Sequence, residues 1–442
     1  MRLLTHTMHK IRPSLVPSHI FKPNDIRGAY PAELNEKGVY AVARSFVHYL
    51  LLRKPDHQKI QVVVSHDGND SSIALYNSFI GGLLDEGADV LDIGIVTPSI
   101  HSFAVEHTHA DGGAIFLAVE GDISSIVLSS VGAAPIGEGL GMEEIRNVAL
   151  RGIFTSIGGS ATLQSGVRMQ KEFLHEYTQY FVKEFQGLQS VSMKINITGT
   201  EPVVKIVEGI MKYFPKIEAE YSGGISMSGG MSVSFGDDEK VTFFDEMGKK
   251  ISVDSTAGFF VGEYAASGDR VVYDLRLSKA VAEAANAHGI AASSCRVGNV
   301  FLRDLMRRDD VMFGADMKGR FYFKDFFYTA SGIFALLTVL YILGKNTRPF
   351  SQLIAPYRHY GKSSEMNFKV KGREQCIDSF AAVFHDALLS YEDGLSIKYE
   401  DWWCNIRPSS TEDLFRVNVE ADTPELLDKK IKLLSELMEQ YS

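Results

Sequence analysis

The chain has 442 residues, of which 45% are hydrophobic and 23% are charged, and its formal net charge is −10. This length predicts several domains, and the composition is typical of globular proteins. The negative balance argues against a general nucleic-acid binder, although it is compatible with a local basic pocket for phosphate. The cysteines are three and scattered, so they predict neither a disulfide framework nor a metal cluster and fit a reducing cytoplasm.

Neither a membrane span nor a secretory signal is expected. No apolar run approaches the roughly 18 residues that cross a bilayer. The longest candidate, Gly332 to Leu343, is predicted to be a buried helix. Residues 1–19 hold Arg2, Lys10 and Arg12 without acids and lack the apolar centre of a signal peptide, so we expect a loose N-terminal arm.

Strands and helices alternate in the first part of the chain. The predicted elements are a strand at Ile60–Val64, a helix at Ile73–Glu86 capped by Gly87, a strand at Asp89–Ile93, a helix that opens at Thr97-Pro98, and a strand at Ala114–Leu117. This alternation predicts a parallel α/β sheet.

The alternation continues after a Gly-, Ser- and Thr-rich stretch at residues 152–166, where we expect a domain boundary. The predicted elements are a helix at Gln170–Phe185, a strand at Lys194–Thr198, a helix at Val203–Tyr213, a strand at Val271–Arg276, a helix at Ser278–His288, the start of a last domain at Glu365–Val370, and a closing helix at Pro424–Gln440. A Gly/Ser-rich stretch at residues 222–230 is flexible in composition.

A short turn near the C-terminus concentrates arginines and hydroxyls. The candidate phosphate-binding residues are Arg407, Ser409, Ser410, Thr411 and Arg416. Arginine presents a planar fork of donors that fits phosphate oxygens in pairs, and short hydroxyls and backbone N–H groups complete a cradle for a dianion. Alternating hydrophobic residues on both sides predict a strand on each side of the turn. The alternative is an ordinary polar hairpin whose arginines pair with acids.

This turn resembles the R-P-S-[NG]-T-E-P phosphate loop of the α-D-phosphohexomutases, the phosphomannomutase/phosphoglucomutase superfamily. Ser410 stands in the variable place and Asp413 replaces the closing proline. The stretch Phe21 to Gly28 resembles the family's F-x-x-Y-D-I-R-G, with Asn24 for the tyrosine and with Arg27 retained, and Arg27 is a further candidate binding residue. The resemblance extends from Phe21 to the C-terminus.

The resemblance implies an α/β fold with a four-domain architecture, in which three α/β units with mixed sheets precede a C-terminal α+β domain. The expected segments are the arm at 1–19 and domains at 20–155, 156–256, 257–364 and 365–442. The family uses four loops, one from each domain, to move a phosphoryl group between two sugar positions through a phosphoserine.

The nucleophile loop of the family reads T-A-S-H-N-P. Here the matching residues are Leu117-Ala-Val-Glu-Gly-Asp122, so that Val119 occupies the serine position and no catalytic residue is assigned. Phosphoryl transfer needs a positioned nucleophile and positive charge around the group in transfer. Ser124 and Ser125 are possible substitutes, but a displacement of one or two residues usually ruins in-line geometry. We therefore expect plain loop serines.

The metal loop of the family reads D-x-D-x-D-R. Here Phe235 replaces the first aspartate, Asp237 is retained, Glu239 replaces the third and Lys240 replaces the arginine. Mg²⁺ requires near-octahedral oxygen ligands, usually carboxylates. We expect a solvated acidic turn in which Asp237 and Glu239 attract a cation weakly, and hence no cofactor unless the loop retains its function for Mg²⁺.

The sugar loop of the family reads G-E-M-S-G-H. Asp316 replaces the glutamate, Lys318 the serine and Arg320 the histidine. Two interpretations have equal weight. Asp316 accepts hydrogen bonds from sugar hydroxyls beside the two cations, or all three residues form a solvated charged turn.

The four loops depart from the family patterns to different degrees. The phosphate loop is nearly intact, the sugar loop is altered, most of the metal loop is lost and the nucleophile is absent. The sequence predicts a phosphohexomutase-like protein of the cytoplasm that is catalytically inactive and binds a phosphosugar or phosphate, with neither nucleic acid nor membrane as a partner. One alternative is an active phosphomannomutase or phosphoglucomutase with a relocated nucleophile. Another is a regulatory or scaffold protein that binds a protein partner.

Overall fold

The computed structural model describes residues 16–54, 59–152, 165–224, 230–236, 239–370, 373–409 and 414–441. The chain divides into two compact units, Met1–Phe173 and Leu174–Ser442, which we call unit 1 and unit 2. Both units combine helices with sheets, so the predicted α/β class is confirmed.

Unit 1 is built on one mixed sheet. Its strands are β1 (Ile26–Ala29), β2 (Gln61–His66), β3 (Asp89–Ile95), β4 (Gly112–Ala118), β5 (Ile123–Ser130), β6 (Ala134–Pro135) and β7 (Arg168–Gln170), in the order β1-β5-β4-β2-β3-β7 with β6 beside β5. Strands β2, β3, β4 and β7 are parallel, whereas β5 runs antiparallel to its neighbours. Its helices are α1 (Glu36–Leu51), α2 (Asp70–Asp85), α3 (Pro98–His107) and α4 (Met142–Arg151).

Sequence explains why these elements form. The Asn35 side chain accepts from the backbone N–H of Gly38, which satisfies an orphan donor at the start of α1. Phe46 on α1 and Phe79 on α2 are fully buried against sheet residues such as Phe116. The aromatic core therefore fixes helices α1 and α2 against the strands whose loops carry the nucleophile position.

Unit 2 holds three further sheets. The first contains β8 (Met193–Gly199), β9 (Ile217–Tyr221), β10 (Met231–Phe235) and β11 (Val241–Phe244) in the order β11-β10-β8-β9, with helices α5 (Leu174–Glu184) and α6 (Glu201–Met211). Strands β8, β9 and β10 are parallel, and β11 is antiparallel. The residues of the metal-loop comparison therefore lie between β10 and β11.

The next sheet of unit 2 carries the sugar-loop residues. Its strands are β12 (Arg270–Asp274), β13 (Ala291–Cys295), β14 (Phe313–Ala315), β15 (Phe321–Phe323) and β16 (Thr329–Ala330), in the order β13-β12-β14-β15-β16. The helices in this part are α7 (Val253–Glu263), α8 (Lys279–Ala287), α9 (Asn299–Arg308), α10 (Gly332–Lys345) and α11 (Phe350–Ile354). Residues 316–320 connect β14 to β15 as a hairpin.

The last sheet is antiparallel throughout. Its strands are β17 (Gly361–Lys362), β18 (Met366–Phe368), β19 (Leu388–Ser390), β20 (Leu395–Lys398), β21 (Trp402–Pro408) and β22 (Phe415–Ala421), in the order β17-β22-β21-β20-β19 with β18 also on β22. The helices are α12 (Arg373–Val383) and α13 (Pro424–Glu439). The predicted strand on each side of the arginine-rich turn is confirmed by β21 and β22.

One predicted helix starts later than expected, and another is confirmed. The helix predicted at Gln170–Phe185 begins only at Leu174, because Arg168–Gln170 pair with β3 as a strand, and the prediction was wrong there. The apolar stretch at Gly332 is the buried helix α10, whose start is capped by the Ser331 hydroxyl. Of the helices that the described residues form, none combines the length and apolar character that a membrane crossing requires.

The predicted domain boundaries at 155/156, 256/257 and 364/365 stay predictions. The sheets follow one another along the chain in a compatible order. Strand β7, however, lies beyond the first of these boundaries and still completes the sheet of unit 1.

Candidate functional site

One face of the last sheet is polar although most of its side chains are buried. Side chains alternate between the two faces of a strand, so residues 403, 405 and 407 of β21 share a face with residues 416, 418 and 420 of β22. Directly opposite pairs on that face are Trp403–Glu420, Asn405–Asn418 and Arg407–Arg416. The other face holds Cys404, Ile406, Val417 and Val419, which belong to the core of this sheet. The alternation therefore places both arginines of the predicted phosphate loop side by side.

A carboxylate lies between these arginines. The Oε2 oxygen of Glu365 accepts from Nη2 of Arg407 at 3.1 Å, and its Oε1 oxygen accepts from Nη1 of Arg416 at 3.3 Å. A third guanidinium, that of Arg276, donates from Nη1 to Oε2 at 3.4 Å. The amide of Asn418 completes the set at 3.5 Å. We call Arg276, Arg407, Arg416 and Glu365 the arginine cradle.

Arg276 comes from the end of β12, in a different sheet from the other two arginines. Arg276 forms a bidentate pair with Asp274, in which Nε donates to Oδ1 at 2.9 Å and Nη2 donates to Oδ2 at 2.5 Å. Its remaining nitrogen is thereby directed at Glu365. Sequence reasoning did not identify Arg276 or Glu365 as site residues. A signal was available for Arg276, which follows a buried parallel strand at its carboxyl end, where open α/β sheets place ligands.

The cations of the cradle repel one another, and Glu365 partly offsets that repulsion. Burial and the charge of Arg276 lower the pKa of Arg407, against the opposing effect of Glu365. Burial disfavours ionisation of Glu365, but Arg407, Arg276 and Arg416 outweigh it and hold the pKa of Glu365 below its usual range. The Nε atom of Arg407 is buried without a hydrogen-bond partner among the residues that the structure describes. The anion that lies between the three cations is the carboxylate of Glu365.

The hydroxyls of the predicted phosphate loop are described only in part. Ser409 is buried, and its backbone N–H donates to the carbonyl of Leu414 at 2.8 Å. Ser410, Thr411 and Asp413 lie outside the described residues.

The sugar-loop residues form the tight hairpin between β14 and β15. Both oxygens of Asp316 are engaged. Its Oδ2 accepts from Nε of Arg320 at 2.8 Å and from the Tyr322 hydroxyl at 2.9 Å, and its Oδ1 accepts from the backbone N–H of Lys318 at 2.9 Å. Burial opposes ionisation, yet Arg320 and Tyr322 hold the pKa of Asp316 below its usual range. Of Asp316, Lys318 and Arg320, only Lys318 is exposed. One of the two interpretations, the solvated charged turn, was therefore wrong for Asp316, because Arg320 and Tyr322 enclose its carboxylate inside the fold.

The hairpin and the cradle are neighbours within unit 2. Nζ of Lys362, on β17, lies 3.4 Å from Sδ of Met317 and 2.7 Å from Oδ1 of Asp254. The charge of Asp316 also contributes to raising the pKa of Arg276, after the larger effects of burial, which opposes it, and of Asp274 and Glu365. The sugar-loop and phosphate-loop residues of unit 2 therefore belong to one region.

Two of the metal-loop residues that the structure describes, Phe235 and Glu239, lie on either side of positions 237 and 238 and are buried. Phe235, at the first ligand position, is buried in the core. Glu239 is also buried, at a positive φ of 62°, so a solvated acidic turn was the wrong expectation for it. Asp237 lies outside the described residues, and among those that are described no three His, Cys, Asp or Glu side chains are grouped as metal ligands. The described part of the loop alone does not supply the several oxygen ligands at short range that Mg²⁺ needs.

The nucleophile position lies in unit 1, in the turn between β4 and β5. Ala118 pairs with Ser124, and the backbone N–H of Val119 donates to the carbonyl of Ile123 at 2.7 Å. The turn is therefore a closed hairpin connection of residues 119–122. Val119 supplies only methyl groups to it.

The two substitute serines belong to strand β5, not to a loop as expected. Ser124 is 1% exposed and donates to the Ser71 hydroxyl at 3.1 Å. Ser125 is 2% exposed and donates to Oδ2 of Asp25 at 2.7 Å. Arg27 donates to the same oxygen, from Nε at 3.0 Å, and its side chain is partly exposed. Both hydroxyls are thus committed to contacts inside unit 1.

The chain is similar to known phosphoglucomutases and phosphomannomutases. Three family models match: phosphoglucomutase/phosphomannomutase alpha/beta/alpha domain I at residues 18–119, alpha/beta/alpha domain III at residues 254–360, and the C-terminal domain at residues 365–432. A phosphomannomutase of Vibrio cholerae is 26% identical, over 95% of this chain and 98% of that protein.

Solved structures show the same fold. A phosphoglucomutase/phosphomannomutase family protein from Burkholderia thailandensis superposes with a TM-score of 0.81 at 18% identity, covering 96% of this chain and 98% of that one. An N-acetylphosphoglucosamine mutase of Aspergillus fumigatus, solved in complex with GlcNAc-6P and magnesium, superposes with a TM-score of 0.58 at 11% identity, covering 90% and 81%. The chain belongs to the α-D-phosphohexomutase superfamily, the phosphoglucomutase/phosphomannomutase family.

Proposed function

We propose that this phosphohexomutase-family protein binds the phosphate group of a phosphosugar in the arginine cradle and does not interconvert sugar phosphates. One observation carries the proposal: three guanidinium groups from two different sheets converge on a single carboxylate. Guanidinium forks that meet at one point bind an oxyanion with several charge-assisted hydrogen bonds. Keeping three buried or half-buried cations together is unfavourable unless an anion shares the site.

The ligand class follows from the neighbourhood of the cradle and from the family. The Aspergillus fumigatus relative was solved with a hexosamine phosphate, and the Vibrio cholerae relative is named a phosphomannomutase. We assign the phosphate to Arg276, Arg407 and Arg416, with Ser409, Ser410 and Thr411 as further donors. Of the predicted sugar-loop residues Asp316, Lys318 and Arg320, the exposed Lys318 is the proposed sugar contact, and the largely buried Asp316–Arg320 pair is proposed to hold its hairpin in place.

The proposed lack of turnover rests on unit 1. Val119 has no oxygen that could carry a phosphoryl group, and the hydroxyls of Ser124 and Ser125 are buried and hydrogen-bonded. Arg27, also in unit 1, stays a predicted binding residue; its side chain is partly exposed and pairs with Asp25. The proposed function needs no resident metal.

A cytoplasmic location is also part of the proposal. Cys295, Cys376 and Cys404 are buried thiols without a disulfide. That state is ordinary in a reducing compartment.

Calorimetry tests the binding directly. Hexose 1-phosphates and 6-phosphates are titrated into the purified full chain, with and without Mg²⁺, beside the unphosphorylated hexoses. We expect saturable binding that requires the phosphate and is unchanged by Mg²⁺. A protein that binds none of these ligands would instead favour a scaffold that acts through a protein partner.

A further inference from the structure

The two arginines of the last sheet form an unfavourable pair by themselves. Arg407 and Arg416 are directly opposite each other on β21 and β22. Directly opposite side chains have Cβ atoms about 5 Å apart, and like charges at that position destabilise the sheet. Arg276 adds a third cation and helps to lower the pKa of Arg407. The sheet therefore requires a counter-anion at this point, with or without a ligand.

Glu365 supplies that anion in the chain itself. Its carboxylate is shared, with Oε2 between Arg407 and Arg276 and Oε1 on Arg416. The three distances of 3.1–3.4 Å exceed the roughly 2.7–2.9 Å of a close charge-assisted bond. The two oxygens of Glu365 are thus shared among three guanidinium groups. A phosphate group, which has three terminal oxygens, offers one oxygen for each.

The position of Glu365 allows its side chain to leave. Its backbone lies just before β18, and the nearby Ser363 is fixed to Val419 by hydrogen bonds in both directions. The Glu365 side chain is 28% exposed, whereas those of Arg276 and Arg407 are 7% and 8% exposed. Arg276 and Arg407 are therefore enclosed, whereas Glu365 and Arg416, which is 27% exposed, lie at the solvent side of the cradle.

We propose that Glu365 is an internal competitor, whose carboxylate neutralises the cradle when no ligand is present and is displaced when a phosphate group binds. The inference rests on the proposed phosphate binding and adds a regulatory contact to the same site. Both anions need the same guanidinium N–H groups, and two anions within a few ångströms repel each other. The affinity for phosphate is consequently set lower than the arginines alone would give.

Glu365→Gln is the direct test, because it removes the charge and keeps the size. Inorganic phosphate and glucose 6-phosphate are titrated by calorimetry into the full-length parent and the variant. Glu439→Gln, at the exposed end of α13, is the matched control for the change in net charge. We expect Glu365→Gln to bind both ligands roughly fivefold to thirtyfold more tightly, from the loss of one close like charge. The control should bind as the parent does.

The outcomes separate this inference from the proposed function. If the parent binds and Glu365→Gln binds equally or more weakly, Glu365 organises the arginines and the competitor is refuted, while phosphate binding stands. If only Glu365→Gln binds, the competitor is supported and the parent is a closed form. If neither binds, the proposed function fails and the inference fails with it.

Thermal unfolding is the second measurement, and it tests the inference even if Glu365→Gln is less stable than the parent. Glu365→Gln removes the one carboxylate that the three guanidinium groups share. Its unfolding temperature should therefore rise more steeply with phosphate concentration than that of the parent. A variant that is unfolded without phosphate and folds in its presence supports the competitor. A variant that phosphate does not stabilise refutes it.

Discussion

Ser125 donates its hydroxyl hydrogen bond to Oδ2 of Asp25 at 2.7 Å, and Arg27 donates to the same oxygen from Nη2 at 2.5 Å. The hydroxyl therefore belongs to an ion-pair network that joins β5 to the residues around β1. A nucleophilic serine needs an accessible oxygen and a base that takes its proton. Asp25 is an acceptor, but it is neutralised by Arg27, and the serine is buried. The Ser125 hydroxyl therefore serves the contact between β5 and the Asp25–Arg27 pair.

We predict that mutase turnover is absent. Mannose 1-phosphate and glucose 1-phosphate are supplied with the hexose bisphosphate activator in a coupled assay that detects the 6-phosphate product. The expected rate equals that of a blank without protein. Turnover well above the blank, or a stable phosphoserine at Ser124 or Ser125 in mass spectrometry, would establish a relocated nucleophile.

Ser125→Ala should lower the free energy of unfolding by about 1 kcal/mol, because the Asp25–Arg27 pair loses a buried donor. Urea denaturation measures the change. Ser130→Ala, at a half-buried position on the same strand, serves as the control and should change the stability less. Equal stabilities of the parent and Ser125→Ala would mean that the Ser125 hydroxyl is not held as the structure describes.

Asp316 should stabilise unit 2 in a pH-dependent way. Its folded pKa is below its usual range, since Arg320 and Tyr322 outweigh the effect of burial. The stabilisation is therefore complete above the unfolded pKa of about 3.9 and is lost as the pH falls through the folded pKa. Asp316→Asn should cost about 1.5–3 kcal/mol at neutral pH, the range for hydrogen bonds to a charged group.

The measurement for Asp316 is urea denaturation of the parent and Asp316→Asn between pH 7 and pH 3. The difference between the two proteins should be constant down to about pH 5 and should shrink below about pH 4. A difference that does not depend on pH would show that the ionised carboxylate contributes no more than the amide.

Magnesium should not be held tightly. Phe235 replaces an oxygen ligand by a buried ring, and Glu239 is buried, so a three-carboxylate site is not available in the described part of the loop. Metal analysis after exhaustive dialysis should find far less than one magnesium per chain. Stoichiometric magnesium would mean that residues 237 and 238 complete a site by a different route.

The sequence predicted those parts of the site that are local in the chain. Arg407 and Arg416 flank one turn, and the alternation of the flanking residues predicted both strands, so the pairing of the arginines follows from a single hairpin. Glu365 lies 42 residues from Arg407, and Arg276 lies 89 residues from Glu365. Their convergence depends on how two sheets pack, and no periodicity in the sequence records it.

Burial was the other quantity that the sequence could not supply. Charged turns are usually solvated. That expectation was wrong for Glu239, and the same alternative among the two considered for Asp316 was wrong as well, because both side chains are buried. The strand at Arg168–Gln170 was missed for a related reason. Its residues have few local strand signals, and pairing with β3 together with the contact from Arg168 to Asp92 at 2.6 Å decides its conformation.

Arg407 makes the shortest of the three arginine contacts with Glu365, at 3.1 Å. Arg407→Ala removes one charge-assisted contact, worth about 1.5–3 kcal/mol, so phosphate and hexose 6-phosphate should bind on the order of tenfold to a hundredfold more weakly. Because Arg407 is buried, the variant should also lose stability, since Glu365 keeps fewer partners. Binding is therefore measured by calorimetry well below the unfolding temperature of the variant. Lys429→Ala, on the exposed surface of α13, removes the same charge and should leave the affinity unchanged. Equal, millimolar-or-weaker affinities for the parent, Arg407→Ala and Lys429→Ala would show that the cradle only holds the sheet together and would favour a scaffold.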